Sequence, residues 1–188
     1  GGWLAPTRAG LWQVGQLVAP TGTPAFSFTD THILKLDSIA TRDNGAGIPV
    51  WRARLRYRPY ADISRADLAG AVTEARKLEL LQPWRDTTAS DTAVQTAHLL
   101  APELVRETAL QQASDATTEA ARLLALHKVR RDYVQAEIWL TQANAAIDLG
   151  SVVQLTTTRL GYGAGRKFIV VGLTVDGRRT RMTLDLWG

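Results

Sequence analysis

Three histidines, a row of alternating arginines and one glycine-rich run are the residues whose types and spacing could do chemistry. His32, His98 and His127 fall in three separate segments, and none has a second ligand two to four residues away, so no zinc site is expected. The chain contains no cysteine, which excludes disulfides, thiolate nucleophiles and cysteine-ligated metals. The run Gly161-Tyr162-Gly163-Ala164-Gly165-Arg166 could bring backbone amides to a phosphate, but it lies between two strand patterns. No helix follows it and no Lys-Ser/Thr pair accompanies it, so it reads as an inter-strand loop. Gly-x-Ser-x-Gly is absent, and the carboxylates of the middle segment form no recognisable acid–base motif. The sequence therefore offers no catalytic, metal-ligating or cofactor-binding residue, and no enzymatic activity is expected.

The arginines ask for a partner. Along Val50–Tyr57, Trp51, Ala53, Leu55 and Tyr57 fall on one face of a strand, and Arg52, Arg54 and Arg56 on the other, with Arg58 continuing the row. Guanidinium groups at alternate strand positions stand about 7 Å apart, near the phosphate spacing of one nucleic-acid strand. Three readings fit the row: an acidic protein neighbour, solvation or pairing within the chain, and, least expected, nucleic acid. Edge strands also carry charge simply to prevent aggregation. Six tryptophans are the other excess, and tryptophan favours interfaces because it buries a large area and keeps an N–H donor. Trp12 and Trp51 read as core, and Trp3 and Trp187, near the ends, as contacts to a neighbour.

The elements that must position these residues follow from periodicity. Leu11–Val18 and Ile33–Leu36 read as short strands or extended loops broken by Pro20, Gly22, Pro24 and Asp43-Asn44-Gly45, and Val50–Tyr57 as a half-buried strand stopped by Pro59. Ser64 is a candidate N-cap, with Asp67 three residues on, for a helix through Leu68, Val72, Ala75 and Leu78 that Pro83 stops. Residues 85–107 read as loop plus two helical turns at Val94–Leu100. A helix from Ser114 or Asp115 to about Arg131 places Ala116, Ala120, Leu123, Leu124 and His127 on one stripe. Tyr133–Leu140, Val152–Thr157, Lys167–Val175 and Arg178–Trp187 read as strands. Asp176-Gly177 is expected to be a two-residue type I′ turn between the last two, and Met182, Leu184 and Leu186 face the core.

Charge divides the chain in the same way. Residues 1–60 hold seven Lys/Arg and three Asp/Glu, residues 61–150 nine and thirteen, and residues 151–188 six and two, so basic ends flank an acidic middle. Such complementarity can guide segments or subunits together. No apolar run approaches the roughly 20 residues that cross a bilayer, and no secretory signal pattern opens the chain. With 45% apolar and 21% charged residues it has the make-up of a globular protein. The expected fold is α+β: an antiparallel sheet or partial β-barrel formed by N- and C-terminal strands, with a helical middle segment packed against it. Residues 1–188 are expected to form a single module, with strands over 1–60, mainly helix over 61–131 and strands over 132–188.

One pattern is familiar. Leu149-Gly150-Ser151-Val152-Val153-Gln154-Leu155-Thr156, then Leu160-Gly161 and Ala164-Gly165-Arg166-Lys167-Phe168-Ile169-Val170-Val171-Gly172-Leu173, closing on Met182-Thr183-Leu184-Asp185-Leu186-Trp187-Gly188, resembles the end of tailed-bacteriophage tail proteins of the hub or baseplate type. Val14-Gly15-Gln16-Leu17 leading to Pro20, and Tyr57-Arg58-Pro59-Tyr60, also resemble that family, so the likeness touches nearly the whole chain. Ser151 departs from it, since Asp is usual there. The resemblance implies a virion structural protein, made in the bacterial host cytoplasm. It implies a ring or trimer, a barrel-like platform that docks on other tail proteins, and a place at the C-terminal end of a longer polypeptide. It carries no catalytic residue, cofactor or metal, and neither membrane insertion nor nucleic acid is expected. The alternative is a receptor- or glycan-binding module of the tail tip, in which Trp3, Tyr162 or Trp187 would stack on sugar rings.

Overall fold

The computed structural model describes residues 2–7, 10–39, 48–59 and 69–188. Asp43-Asn44-Gly45, Tyr60, Ser64, Asp67 and Leu68 lie outside the described residues. The fold is α+β. Where the sequence reads as one module, the chain falls into two compact units, the first made of residues 1–47 and 131–188 and the second of residues 48–130.

The first unit holds two sheets. A hairpin pairs β1 (Gly2–Pro6) with β2 (Trp12–Gln16). A six-stranded sheet follows the order β3 (Phe26–Thr29), β9 (Val152–Thr156), β10 (Arg166–Asp176), β11 (Arg181–Trp187), β8 (Tyr133–Trp139), β4 (Ile33–Ile39). All of its neighbours are antiparallel except β3 and β9, which run parallel. In a flat sheet of six strands the outer two would lie about 24 Å apart. β3 and β4 are those outer strands, yet only Asp30, Thr31 and His32 join them, a link that reaches at most about 15 Å. The sheet must therefore curl, and it forms the half-barrel expected of the terminal strands. Its concave side is filled by Phe28, Val134, Ile138, Leu155, Phe168, Met182, Leu184 and Leu186, all fully buried. The alternation in β8, β9 and β11 is the period-2 pattern visible in the sequence.

The β10–β11 connection differs from expectation. Asp176 pairs with Arg181, so the loop has four residues, Gly177 to Thr180, rather than two. The Asp176 carboxylate accepts the backbone N–H groups of Arg178 and Arg179, and Thr180 takes the left-handed conformation (φ 54°) that a type I′ turn would have asked of Gly177.

The second unit is a three-stranded sheet with one long helix on it. β5 (Arg52–Tyr57) lies in the middle, antiparallel to β6 (Arg85–Ser90) and parallel to β7 (Glu103–Glu107). Helix α3 (Ala113–His127) lays Ala116, Ala120, Leu123 and Leu124 on Ala53, Leu55 and Tyr57. The middle segment is thus less helical than its sequence reads. β6 and β7 replace the expected loop, and α2 (Thr92–Ala97) is a short helix capped by Asp91. Helix α1 (Glu74–Leu80) begins after the N-cap Thr73, later than the predicted start, and buries no residue.

Candidate interaction surface

The arginine row sits on the central strand of its sheet, so protection of an edge cannot be its purpose. The register sets Arg52 between Ser90 and Glu103, Arg54 between Thr88 and Val105, and Arg56 between Asp86 and Glu107. Arg54 grips Glu103 with two bonds, Nε to Oε1 at 2.9 Å and Nη2 to Oε2 at 3.3 Å. Arg52 Nε lies 3.6 Å from the same carboxylate. Arg56 donates to Glu107 at 3.1 Å and stands 3.9 Å from Asp86. Three guanidinium groups therefore face three carboxylates on one sheet surface, and their charges cancel. Arg58 leaves the row: it follows the strand in a left-handed conformation (φ 52°), and its N–H bonds the Leu110 carbonyl.

Sequence reasoning found the row but missed its acids. The signal was present in Glu103-Leu104-Val105-Arg106-Glu107, whose alternation sends Glu103 and Glu107 to the arginine side and Leu104 to the helix side. Half-exposed pairs of this kind contribute roughly 0–1 kcal/mol each. They fix which groups face outward more than they stabilise the sheet.

The tryptophans divide differently from expectation. Trp12, expected in the core, is 71% exposed. Its strand belongs to the separate hairpin, which has nothing on that face among the described residues of its own unit. Trp51 is half-buried, with the Arg52 guanidinium 5.5 Å from its ring centre. Trp3 packs within its own unit, its ring covering Gly15 and Gly150 so closely that a side chain at either glycine would collide with it. Trp187 is half-buried beneath the Arg131 guanidinium, 5.3 Å from the ring centre. Burial, and then the nearby Arg166 charge, lower the Arg131 pKa. Tyr162 is buried and donates its hydroxyl to Asp132 at 3.1 Å.

Tyr162, Arg166, Phe168 and Gly188 of the C-terminal motifs meet with Asp132 at one joint in the first unit. Arg166, at the end of the glycine-rich loop, pairs with Asp132 and donates to the Gly188 carbonyl at 2.9 Å. Its guanidinium lies 5.5 Å from the Tyr162 ring centre and 5.8 Å from that of Phe168. Asp132 and Gly188 exchange both backbone hydrogen bonds. Gly188 has no room for a side chain, since a Cβ there would lie 2.9 Å from Phe168 Cα. Gly172 sits at a register shift in β10, where a Cβ would lie 2.9 Å from Asp185 Cβ. Ser151 fills its turn as an acceptor, taking the Asp148 N–H on Oγ at 3.2 Å. A serine thus keeps an acceptor at the position where Asp is usual in the resembling family.

The histidines stay apart. His32 belongs to the β3–β4 link, with Nδ1 accepting the Thr29 N–H and the ring edge-on to Phe26. His98 is exposed at the end of α2, and His127 is half-buried at the end of α3. Among the described residues no group of three or more His, Asp or Glu is placed to hold a metal ion, and no helix is long and apolar enough to cross a membrane.

No family model and no curated protein matches this sequence. Solved structures do resemble it. A tail protein from Neisseria meningitidis aligns over the whole chain with a TM-score of 0.56 at 14% identity. The 43 kDa tail protein of prophage MuSo2 from Shewanella oneidensis aligns over the whole chain with a TM-score of 0.55 at 10% identity. The chain spans about half the length of each, 50% in both cases. At identities this low the likeness is one of fold, and over its whole length this chain has a fold similar to half of those two tail proteins.

Proposed function

We propose that this chain is a structural, non-catalytic component of a bacteriophage tail, located at the hub, baseplate or tail tip, and that it acts by docking on other tail proteins and on copies of itself in a ring or trimer. The whole-chain likeness to two tail proteins is the observation that carries this reading. In it the Arg52/Arg54/Arg56 face, neutral once paired with Glu103, Glu107 and Asp86, offers its remaining N–H donors to hydrogen-bond acceptors of a neighbouring subunit. Each guanidinium has five N–H donors, and the strand and its neighbours occupy only some of them, so a second acceptor can join without stripping Glu103 or Glu107. The converging motif residues support assembly indirectly, by holding the half-barrel rigid. The glycan-stacking alternative finds less support, because Tyr162 is buried and Trp3 and Trp187 are engaged within their own unit.

The test is the composition of the particle. Tails purified from the phage or prophage that encodes this chain, probed with an antibody against it, are expected to carry it as a stoichiometric component. Its absence from intact tails would overturn the reading. Within that reading, replacing Arg52, Arg54 and Arg56 together by Ala removes the donors and leaves Glu103, Glu107 and Asp86 unpaired, and is expected to reduce incorporation. Unchanged incorporation would sink the arginine interface and leave the tail assignment standing.

A further inference from the structure

Strand β10 is paired on both sides over its first half only. Residues 166–169 pair with β9. Val170 donates to the Ser151 carbonyl at 2.9 Å and accepts from the Gly150 N–H at 2.8 Å. Beyond the register shift at Val170, residues 171–176 have no backbone partner outside β11 among the described residues. The ladder shows which groups are left over. Leu140 donates to the Thr180 carbonyl at 2.9 Å, and Asp132 and Gly188 exchange both bonds. Even-numbered residues of β11 therefore turn their main-chain groups to β8, and odd-numbered ones turn theirs to β10. The β10 partners of those odd residues are Gly172, Thr174 and Asp176, so Leu173 and Val175 direct N–H and C=O outward, about 7 Å apart. Val171 is 41% exposed and Val175 44%, so the edge is open. Residues 168–175 hold no charge and no proline, and of the usual devices that blunt an edge strand only the bulge is present.

Alternate N–H and C=O groups at strand spacing are matched by another extended chain. The flanking side chains say more about that chain. Leu173 packs partly on the half-barrel core, and Val175 pairs with the buried Met182, so an added strand would continue the apolar side there. The end of the edge sets its charge. In the loop that follows Asp176, the Arg178 side chain has no hydrogen bond or ion pair among the described residues. Arg179 lies 3.8 Å from Asp176, and Arg181 is taken by Glu137 at 2.7 Å. One carboxylate against two guanidinium groups leaves a positive tip, which fits a carboxylate on the incoming chain. The same edge of a second copy supplies none, because antiparallel pairing would set each tip beside the uncharged start of the other edge.

We infer that the outer edge of β10 over residues 171–176 is a strand-addition site, whose occupant is an extended segment of another polypeptide with alternating apolar residues and a carboxylate beside Arg178 and Arg179. This stands on β10 and its loop, and is independent of the tail reading. The probe is an acetylated, amidated peptide, Glu-Glu-Val-Thr-Val-Thr-Val, whose glutamates reach the tip when it runs antiparallel to β10. It is titrated over about 1–500 µM into the 188-residue chain, with amide exchange read by NMR. The expected result is saturable binding that slows exchange of the Leu173 and Val175 amides by more than about tenfold. Val175→Pro removes one outward donor and none from the β11 ladder, a change that edge strands tolerate. With circular dichroism unchanged, it should weaken binding at least about tenfold. The R178E/R179E variant lies in the exposed loop and guards against loss of the fold. It should weaken binding by about tenfold and favour the peptide that carries Lys-Lys in place of Glu-Glu. No saturable binding, protection that omits Leu173 and Val175, or an affinity that neither variant changes would overturn the inference. Self-association that protects the same amides without peptide would assign the edge to a second copy, which also overturns it. Presence of the chain in purified tails is read separately, so each proposal can fail without the other.

Discussion

Replacing Arg166 by Ala tests whether the motif residues of the C-terminal third form one mechanical joint. The substitution removes the ion pair with Asp132, the bond to the Gly188 carbonyl and the stacking on Tyr162 and Phe168. Hydrogen bonds involving a charged group are worth about 1.5–3 kcal/mol each, and a cation over an aromatic ring about 0.5–1 kcal/mol when partly exposed. The Arg166 side chain is 30% exposed and that of Asp132 16%, so solvent screening places the ion pair at the low end of its range. Asp132 keeps the Tyr162 hydroxyl as a donor and is not left bare. The expected cost is about 3 kcal/mol. With a urea slope of about 2 kcal/mol/M, the unfolding midpoint of the first unit should fall by about 1.5 M, read by tryptophan fluorescence. Hydrogen exchange should place the loss at the paired ends of β8 and β11. Arg166→Lys keeps the charge but loses the planar fork, and should recover less than half. A midpoint shift below about 0.3 M for Arg166→Ala would refute the reasoning, and the convergence of the motifs would then have little energetic meaning.

Two further outcomes follow from the geometry. Gly172→Ala pushes a methyl group against Asp185, whose carboxylate accepts from Gln135 Nε2 at 2.8 Å. Loss of that bond and crowding at the register shift should cost about 1–2 kcal/mol, and an unchanged midpoint in urea would show that the strand yields freely there. Glu119 on α3 has its pKa lowered, first by the hydrogen bond from Arg122, with burial opposing. A carboxylate with a depressed folded pKa contributes stability that is complete above its unfolded value and lost as pH falls through the folded one. Glu119→Gln should therefore be less stable than the wild type by about 0.5 kcal/mol at neutral pH, and the gap should close below about pH 4. A gap that persists in acid would place its origin outside the ion pair.

Much of the half-barrel was legible because its strands announce themselves locally. β8, β9 and β11 alternate buried and outward residues without a break, and the alternation of β5 placed Arg52, Arg54 and Arg56 on the face away from Ala53 and Leu55. β6 and β7 were not legible. Arg85–Ser90 has only alanine, threonine and serine besides its charges, and Glu103–Glu107 has a single buried residue, Leu104. They are strands because β5 offers both of its edges and α3 covers one side of the sheet, conditions that a propensity scale does not contain. The glycines of the C-terminal motifs were visible as a pattern, but the reason for Gly150, Gly172 and Gly188 was not, since each of these is pressed by a side chain or backbone distant in sequence.

By itself the sequence determined the period of each long strand and of α3, the α+β class, the absence of cysteine chemistry and the side of β5 that carries charge. These are short-range properties, set by the alternation of apolar and polar residues along a few turns or pleats. Only the tertiary structure decided that the arginines are neutralised, because the Glu103 that Arg54 grips is 49 residues away. It alone decided that Trp12 is exposed rather than buried: alternation reports that a strand has an apolar side, and not whether another layer of the protein lies over it. The β5 face shows the same division, since alternation reports which side carries the arginines and only pairing with β6 and β7 supplies the carboxylates that cancel them.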